Sequence, residues 1–314
     1  MNAPSDVTIG APLLVPFDGS AHAEAVFPYL PLLADGDREV ILLQVVPRAQ
    51  AVNSPIGDVM LSADEVQQVS EAAARADLDR AAARIESLAP NLKVDQIVET
   101  GDPSERIAEV AARNGARAIL LSSLGVSATG PGGFGSVVGR VARMAPVPVM
   151  VIQPNGAVVD QDLVARLVIA HDGSDRSSRV LPLAQDLARR LSAPVHVVAV
   201  VEDEESSLST SVAAAIDPHL REEARADALN LARRHVEVVG SQFLRQGIPA
   251  SWQVLSGPAA PAIIDACTQR DVLVITSHGQ SGSRWMFGSV AEKLVRESHV
   301  PVILLRTAPE GATP

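Results

Sequence analysis

The sequence predicts two consecutive α/β domains, each a doubly wound sandwich on a five-stranded parallel sheet. Three observations predict this fold class: the length of 314 residues, an internal repeat, and short apolar runs that alternate with longer amphipathic stretches. A domain usually has about 100–200 residues, so the length alone favours two domains. Apolar residues make up 47% of the chain and charged residues 20%, which is typical of packed globular proteins.

The repeat runs through the whole chain. The segment LLVPFDGS at 13–20 returns as LVIAHDGS at 167–174, and the same distance along the chain separates Gly125 from Gly279. A constant offset over such a length indicates duplication of an entire domain. The repeat therefore predicts two copies of one architecture rather than two unrelated domains.

A turn-forming cluster separates the two copies. It consists of Gln153-Pro154-Asn155-Gly156, in which proline, asparagine and glycine all favour turns. We therefore predict a first domain at 1–156 and a second at 163–314.

Five apolar runs in the first copy predict the strands of its sheet. They centre on Leu14, Ile41, Ile97, Ile119 and Val149. Because these runs are continuous rather than alternating, they predict strands that are buried on both faces of a parallel sheet.

Amphipathic stretches between the runs predict helices. Ser62-Ala63-Asp64-Glu65 has the pattern of a capping box, in which a serine oxygen and a carboxylate three residues later satisfy free backbone N–H groups. Apolar residues at helical spacing follow it. In the second copy, the equivalent helix is predicted at about 219–239.

Composition disfavours several classes of function. The net charge is −11 and lysine occurs only at 93 and 293, so no basic surface is predicted that could bind nucleic acid. The single Cys267 excludes an intramolecular disulfide and a cysteine metal site, and we predict it to be a buried core residue. The histidines are dispersed, and no metal site is predicted.

The sequence shows neither a signal peptide nor an apolar run that could span a bilayer. A spanning helix needs about 18 or more consecutive apolar residues, and no run reaches that length. We expect a soluble, cytoplasmic protein.

An acidic residue follows the first strand of each copy. In doubly wound sheets, ligands bind beyond the carboxyl ends of the strands where the strand order reverses. Asp18 and Asp172 are predicted at that place, where a carboxylate can accept a hydrogen bond from an amine or a ribose hydroxyl. The alternative interpretation is that Asp-Gly-Ser is only a turn and a helix cap.

A glycine-rich connection follows the fourth strand of each copy. Ser122-Ser123-Leu124-Gly125 is followed after nine residues by Gly135-Ser136, and Thr276-Ser277-His278-Gly279 after eight residues by Gly288-Ser289. Gly-Ser before an apolar helix predicts free N–H groups at a helix N-terminus, which suit a phosphate. The alternative is a solvated loop with a helix cap, but recurrence opposite the acidic residue favours a nucleotide site.

These residues resemble the universal stress protein family, twice over and across essentially the whole chain. The resemblance rests on Asp-Gly-Ser after the first strand and on the family's Gly-x-x-Gly-x9-Gly-(Ser/Thr) pattern, to which 279–293 is especially similar. In this sequence Ser122 and Thr276 replace the first glycine. The first copy has Pro131-Gly132-Gly133 inside its loop, and the second loop is one residue shorter and contains His278.

The resemblance implies an adenine-nucleotide site in one or both copies, for ATP or ADP with or without Mg²⁺. The aspartates and the end of the first strand would contact adenine or ribose, the second strand would offer its main chain to the base, and the loop would hold ribose and phosphates. The implied residues of the first copy are Pro16, Asp18, Val45, Ser122, Gly125, Gly135, Ser136 and Val137. Those of the second are Ala170, Asp172, Val200, Thr276, Gly279, Gly288, Ser289 and Val290.

The resemblance also implies a role and an assembly. The role is that of a stress-response regulator whose nucleotide occupancy reports the energy state. The alternative is a universal stress protein without nucleotide that acts as a protein-interaction module. By the same resemblance, the last strands within 147–152 and 300–305 would pair inside the chain as a pseudo-dimer, and a further homodimer stays open.

Catalytic patterns are weak. No Walker lysine follows a glycine-rich loop, and the sequence shows no pair of carboxylates that could bind a magnesium ion, so we expect at most a weak ATPase. The segment 279–283 lacks the second glycine of a hydrolase nucleophile elbow. No Gly-x-Gly-x-x-Gly follows the first strand, which disfavours a dinucleotide-binding dehydrogenase.

Overall fold

The computed structural model describes residues 11–34, 39–53, 59–125, 136–154, 163–202, 218–277 and 288–307. The chain divides into two compact units, Met1–Val159 and Asp160–Pro314. Each unit contains five parallel strands with helices between them, which confirms the predicted fold class.

The sheet of the first unit is entirely parallel. Its strands are β1 (Leu13–Pro16), β2 (Glu39–Val46), β5 (Lys93–Thr100), β6 (Ala118–Ser122) and β7 (Val149–Ile152). They lie in the order β7-β6-β1-β2-β5. A separate antiparallel pair, β3 (Val52–Asn53) and β4 (Val59–Leu61), was not predicted.

The helices of the first unit follow the predicted alternation. They are a 3₁₀ helix at Ala23–Tyr29, α1 (Leu30–Leu33), α2 (Ala63–Leu88), α3 (Pro103–Arg113) and α4 (Ser136–Met144). The capping box is confirmed at the start of α2. The Glu65 amide donates to Ser62 Oγ at 3.2 Å and the Ser62 amide donates to the Glu65 carboxylate at 2.8 Å.

The second unit repeats this topology. Its strands are β8 (Arg166–Ala170), β9 (Val195–Val201), β10 (Ala250–Ser256), β11 (Asp271–Thr276) and β12 (Val302–Leu305), in the order β10-β9-β8-β11-β12. Its helices are α5 (Asp175–Ser178), α6 (Leu181–Leu191), α7 (Pro218–Arg245), α8 (Ala259–Asp265) and α9 (Ser289–Glu297). Helix α7 extends beyond the predicted 219–239. No described helix is long and apolar enough to cross a membrane.

The core consists of the central strands and the helix faces that cover them. Leu14, Ile119 and Val149 are buried as predicted. The prediction of burial on both faces was wrong for β5, because this strand lies at the edge of its sheet and exposes Asp95 and Gln96. Cys267 is buried, and burial raises the pKa of its thiol to about 12.

The strand order places a crevice beside the first strand of each sheet. In the first unit β1 lies between β2 and β6, and in the second unit β8 lies between β9 and β11. Connections leave the first strand and its fourth-strand neighbour toward opposite sides, so their carboxyl ends separate to leave a crevice. Asp18 and Asp172 follow directly at those ends.

Candidate functional site

A cavity of about 300 Å³ opens at the crevice of the second unit. It lies among the carboxyl ends of β8, β9 and β11 and the first turns of α8 and α9. Of the residues named from the sequence, the structure brings seven together around it: Ala170, Asp172, Val200, Thr276, Gly288, Ser289 and Val290. Gly279 and His278 lie outside the described residues.

Asp172 stands on a tight turn at the edge of this cavity. Its Oδ1 accepts from the Ser174 amide at 3.0 Å and from Ser174 Oγ at 2.6 Å. Ser174 in turn caps α5 by accepting from the Ser177 amide at 3.1 Å. The turn-and-cap interpretation therefore holds, and the same turn brings the carboxylate to the cavity wall.

The N-terminus of α9 forms another part of the cavity wall. Gly288 is the N-cap, with φ −59° and ψ 137°, and its amide donates to the Ser277 carbonyl at 3.0 Å. Ser289 and Val290 follow as the first helical residues and line the cavity. Amides in the first turn of a helix have no carbonyl partner within the helix, so this wall suits an anion.

Backbone strain does not arise at Thr276 or Ser122, the residues in place of the family's first glycine. Both end a β-strand and are buried there in extended conformation, which a residue with a Cβ adopts without cost. The positive φ that glycine would allow is therefore not needed at these positions. Gly288 also has a negative φ, so its role is not conformational.

Most of the apolar wall of the cavity was not predicted from the sequence. Val198 lies in the middle of β9 and Ile275 near the end of β11, and α8 and α9 contribute Ile263 and Leu294. No sequence signal separates them from core residues, because the same types at the same periodicity fill the core. The other lining residues that were not anticipated are His171, Ser177, Ala199, Ala259, Ser277 and Ala291.

His171 is the buried titratable group of this wall, with only 4% of its surface exposed. Its Nδ1 accepts from the Gly173 amide at 3.0 Å, and its Nε2 lies 3.1 Å from Ser178 Oγ. Since an amide can only donate, Nδ1 carries the lone pair and the neutral ring has its proton on Nε2. Burial lowers the pKa of His171, and His235 lowers it further, while Asp172 acts in the opposite direction.

The pair of His171 and Ser178 is not arranged for nucleophilic attack. Ser178 Oγ lies 3.0 Å from the Ser174 carbonyl, to which it donates its proton. It therefore accepts from His171 Nε2 rather than donating to it. A serine nucleophile needs the opposite arrangement, with a histidine lone pair facing the hydroxyl proton.

The first unit holds its aspartate in the same way. Asp18 Oδ1 accepts from the Ser20 amide at 3.0 Å and from Ser20 Oγ at 2.6 Å. Gly125 packs against this carboxylate so closely that a Cβ at position 125 would overlap Asp18 Oδ2. The structure therefore brings together two of the residues named from the sequence.

The other residues named in the first unit lie on the elements that border its crevice. Pro16 ends β1, Val45 is near the end of β2, and Ser122 ends β6. Ser136 and Val137 begin α4. Gly135 and the segment 131–133 lie outside the described residues.

The two crevices differ in the side chains around the shared turn. Phe17 stands where the second unit has His171, and its ring stacks on Phe27 with centroids 5.9 Å apart. A Cβ on Gly19 would lie 2.7 Å from Asp77 Oδ2, whereas one on Gly173 would lie 2.5 Å from His235 Nδ1. The duplicated turns thus face different titratable groups.

Comparisons with known proteins agree with this architecture. Universal stress protein Rv2005c of Mycobacterium tuberculosis is 29% identical over 198 residues, a match that spans 62% of this chain and 63% of that protein. Stress response protein NhaX of Bacillus subtilis is 26% identical over 161 residues, which spans 45% of this chain and 97% of that protein. The crystal structure of a universal stress protein from Archaeoglobus fulgidus superposes with a TM-score of 0.66 at 21% identity and covers 95% of this chain and 99% of its own.

The family assignment rests on both units. The model of the "Universal stress protein family" matches residues 11–153 and again residues 164–306. The two matches together take in both crevices and nearly all of the described strands and helices. The chain belongs to the universal stress protein family, as a member with two such domains in tandem.

Proposed function

We propose that this protein is a cytoplasmic stress-response regulator that binds an adenine nucleotide, ATP or ADP, in the cavity of its second unit. The observation that carries the proposal is the placement of three kinds of group around one cavity. Apolar strand ends, a carboxylate on a fixed turn and the N-terminus of α9 all face it. Its volume of about 300 Å³ is at the lower end of the range of roughly 300–1,000 Å³ for ligand pockets.

Each group suits one part of the nucleotide. Val198, Val200 and Ile263 offer apolar surface to a planar base, whose burial is favourable. Asp172 can accept a hydrogen bond from the ribose or the exocyclic amine. The amides and hydroxyl at the start of α9 can donate to phosphate oxygens, where the helix dipole adds to the attraction.

The first unit repeats the aspartate turn, and we propose it as a second nucleotide site. Gly125 against Asp18 supports this, because it places the loop after the fourth strand beside the carboxylate, as the same pocket would require. Nucleotide occupancy would then change partner binding rather than drive a reaction, with at most a weak ATPase.

Ser289 allows a sharp test of the phosphate wall. It is the first residue of α9, where proline is well tolerated, and ψ 137° at Gly288 suits a residue before proline. We expect Ser289→Pro to keep the helix but remove one N–H, which weakens ATP binding in the second unit by about 10- to 100-fold. Isothermal titration of ATP with Mg²⁺ into the full chain measures this.

Ser289→Ala is the matched control, because it removes the hydroxyl and keeps the N–H. We expect it to weaken binding much less than the proline variant. Equal affinity in the wild type and Ser289→Pro would contradict the proposed phosphate position. No binding to the wild type would favour the alternative of an interaction module without nucleotide.

A further inference from the structure

Two histidines lie against the turn that carries Asp172. His171 Nδ1 accepts from the Gly173 amide at 3.0 Å. His235 of α7 packs so close to Gly173 that a Cβ there would lie 2.5 Å from its Nδ1. Of the two rings, His171 is the one with a hydrogen bond to the residue beside Asp172.

A second link runs from His171 to the far end of the turn. Its Nε2 donates to Ser178 Oγ at 3.1 Å, and that hydroxyl donates to the Ser174 carbonyl at 3.0 Å. The imidazole thus holds both Gly173 and Ser174, the two residues that follow Asp172. This double link is available only to the neutral ring, because Nδ1 must keep its lone pair.

Protonation of His171 would break the first link. The new N–H on Nδ1 would point at the Gly173 amide, which is itself a donor, so a hydrogen bond would be replaced by two opposed donors. In a buried place neither group could turn to water without moving the turn. Among the described residues, the titratable groups that act on His171 are Asp172 and His235, of which His235 opposes its protonation and Asp172 favours it.

The first unit provides a natural comparison. Its turn has the same hydrogen bonds from Ser20 to Asp18, but Phe17 takes the position of His171 and cannot titrate. Both units carry the aspartate and would take the same ligand. Any pH effect from the carboxylate or from the nucleotide itself would therefore appear in both. An effect confined to the second unit would come from His171 or from His235, which packs on Gly173 there, and a variant of His171 separates the two.

We propose that His171 is a positioning residue for the nucleotide: its neutral ring holds Asp172 in place, so acidification weakens nucleotide binding in the second unit and spares the first. This rests on the proposed function, and it adds a pH response to one of two duplicated sites. The chain would then hold nucleotide in both units at neutral pH and mainly in the first unit at acidic pH.

Single-site variants of the full chain test this directly. Asp18→Ala leaves the second unit as the nucleotide site, and Asp172→Ala leaves the first. Titration of ATP with Mg²⁺ at several pH values between about 8 and about 5 should show a larger loss of affinity on acidification for Asp18→Ala than for Asp172→Ala, because the competent fraction of the second unit falls as His171 is protonated.

His171→Asn in the Asp18→Ala background separates positioning from packing. The asparagine Oδ1 can accept from the Gly173 amide as Nδ1 does, and it does not titrate. We expect the pH dependence to disappear. If this variant does not fold, His171→Phe, which copies the first unit, should have the same effect. Retention of the pH dependence in a folded variant, or an equal pH dependence of the two units, would overturn the proposal.

A measurement without nucleotide separates this inference from the proposed function. In the ligand-free chain, the amide NMR signal of Gly173 should shift with the titration of the His171 ring, while that of Gly19 should not. Absence of ATP binding at about pH 8 would refute the nucleotide proposal. A Gly173 amide chemical shift that does not change as the His171 ring titrates would refute the positioning role, whether or not ATP binds.

Discussion

At the scale of single residues, Gly125 shows how the residue after β6 can pack closely against the aspartate that follows β1. The residue has no side chain to collide with the Asp18 carboxylate, and a Cβ there would overlap Oδ2. The requirement at this position is for space and not for a positive φ, since φ at Gly125 is not positive. The glycine in this motif is therefore explained by the closeness of the aspartate.

Arg166 and Asp271 form an ion pair in the second unit, in which the carboxylate is buried and the guanidinium is partly exposed. Asp271 is 1% exposed and receives two hydrogen bonds from Arg166, at 3.0 and 2.7 Å, and one from the Thr268 amide at 2.8 Å. Hydrogen bonding to Asp271 raises the pKa of Arg166. Both residues begin their strands, so the pair lies at the end of the sheet away from the cavity.

We expect Asp271→Asn to destabilise the protein strongly without a direct effect on the cavity. Removal of one partner leaves the Arg166 charge poorly compensated, which typically costs about 3–5 kcal/mol. Urea unfolding followed by circular dichroism measures the change. The paired variant Arg166→Met/Asp271→Leu should lose clearly less free energy of unfolding. An equal loss in the two variants would show that packing, and not the unpaired charge, causes the destabilisation.

At the scale of elements, the capping box of α2 links sequence to stability. Ser62 and Glu65 exchange hydrogen bonds at the start of the helix. The hydrogen bond from the Ser62 backbone amide to the Glu65 carboxylate lowers the pKa of Glu65, and the bond from the Ser62 hydroxyl lowers it further. Because the pKa of Glu65 is lower in the folded chain than in the unfolded chain, its ionised carboxylate adds to the free energy of unfolding above the ordinary pKa of 4.5. This contribution is lost as the pH falls through the pKa of the folded chain.

Ser62→Ala should therefore destabilise the chain by about 1 kcal/mol at neutral pH. The difference from the wild type should shrink as the pH falls below the ordinary range of a glutamate. Urea unfolding at neutral and acidic pH measures the difference in free energy of unfolding between Ser62→Ala and the wild type at each pH. Ser87→Ala near the end of α2, whose exposed hydroxyl bonds only the Arg84 carbonyl, is the control and should change little. A cost for Ser62→Ala that does not vary with pH would exclude the role of Glu65.

The same topology produces different edges in the two units. Strand β5 exposes charged residues, Lys93 and Asp95, whereas β10 is uncharged and exposes part of Trp252. Charge on an edge strand discourages pairing with other chains. The apolar pattern alone suggested fully buried strands, because periodicity does not say which strand lies last in the sheet.

At the scale of the whole molecule, duplication with divergence predicts a pH-dependent stoichiometry. At a free ATP concentration close to the Kd of the second unit, we expect fewer bound nucleotides per chain at about pH 5 than at about pH 8, because protonation of His171 weakens only that site. Equilibrium dialysis with ATP and Mg²⁺ measures the count, and Asp18→Ala and Asp172→Ala assign any loss to one unit. An unchanged count, or an equal loss from both units, would contradict this. Pairing of the last strands as a pseudo-dimer stays a prediction.

Much of the architecture followed from local pattern. The repeat, the continuous apolar runs and the capping box at Ser62 are properties of neighbours along the chain, and they predicted two parallel α/β units correctly. The aspartate turns could also be named, because each is a short motif with its own hydrogen bonds. Gly288-Ser289 could be named as well, and it begins α9.

The sequence by itself therefore determined the fold class, the duplication and the polar motifs at the crevices, because periodicity and short-range hydrogen bonding depend on residues that are close together in the chain. Only the tertiary structure decided which apolar residues line the cavity, that β5 is an edge strand, and that His171 and His235 both lie against the turn at Gly173. His171 and His235 are far apart in the chain and meet only when α7 packs on the sheet. Such contacts depend on packing in three dimensions, for which the order of residues gives no local signal.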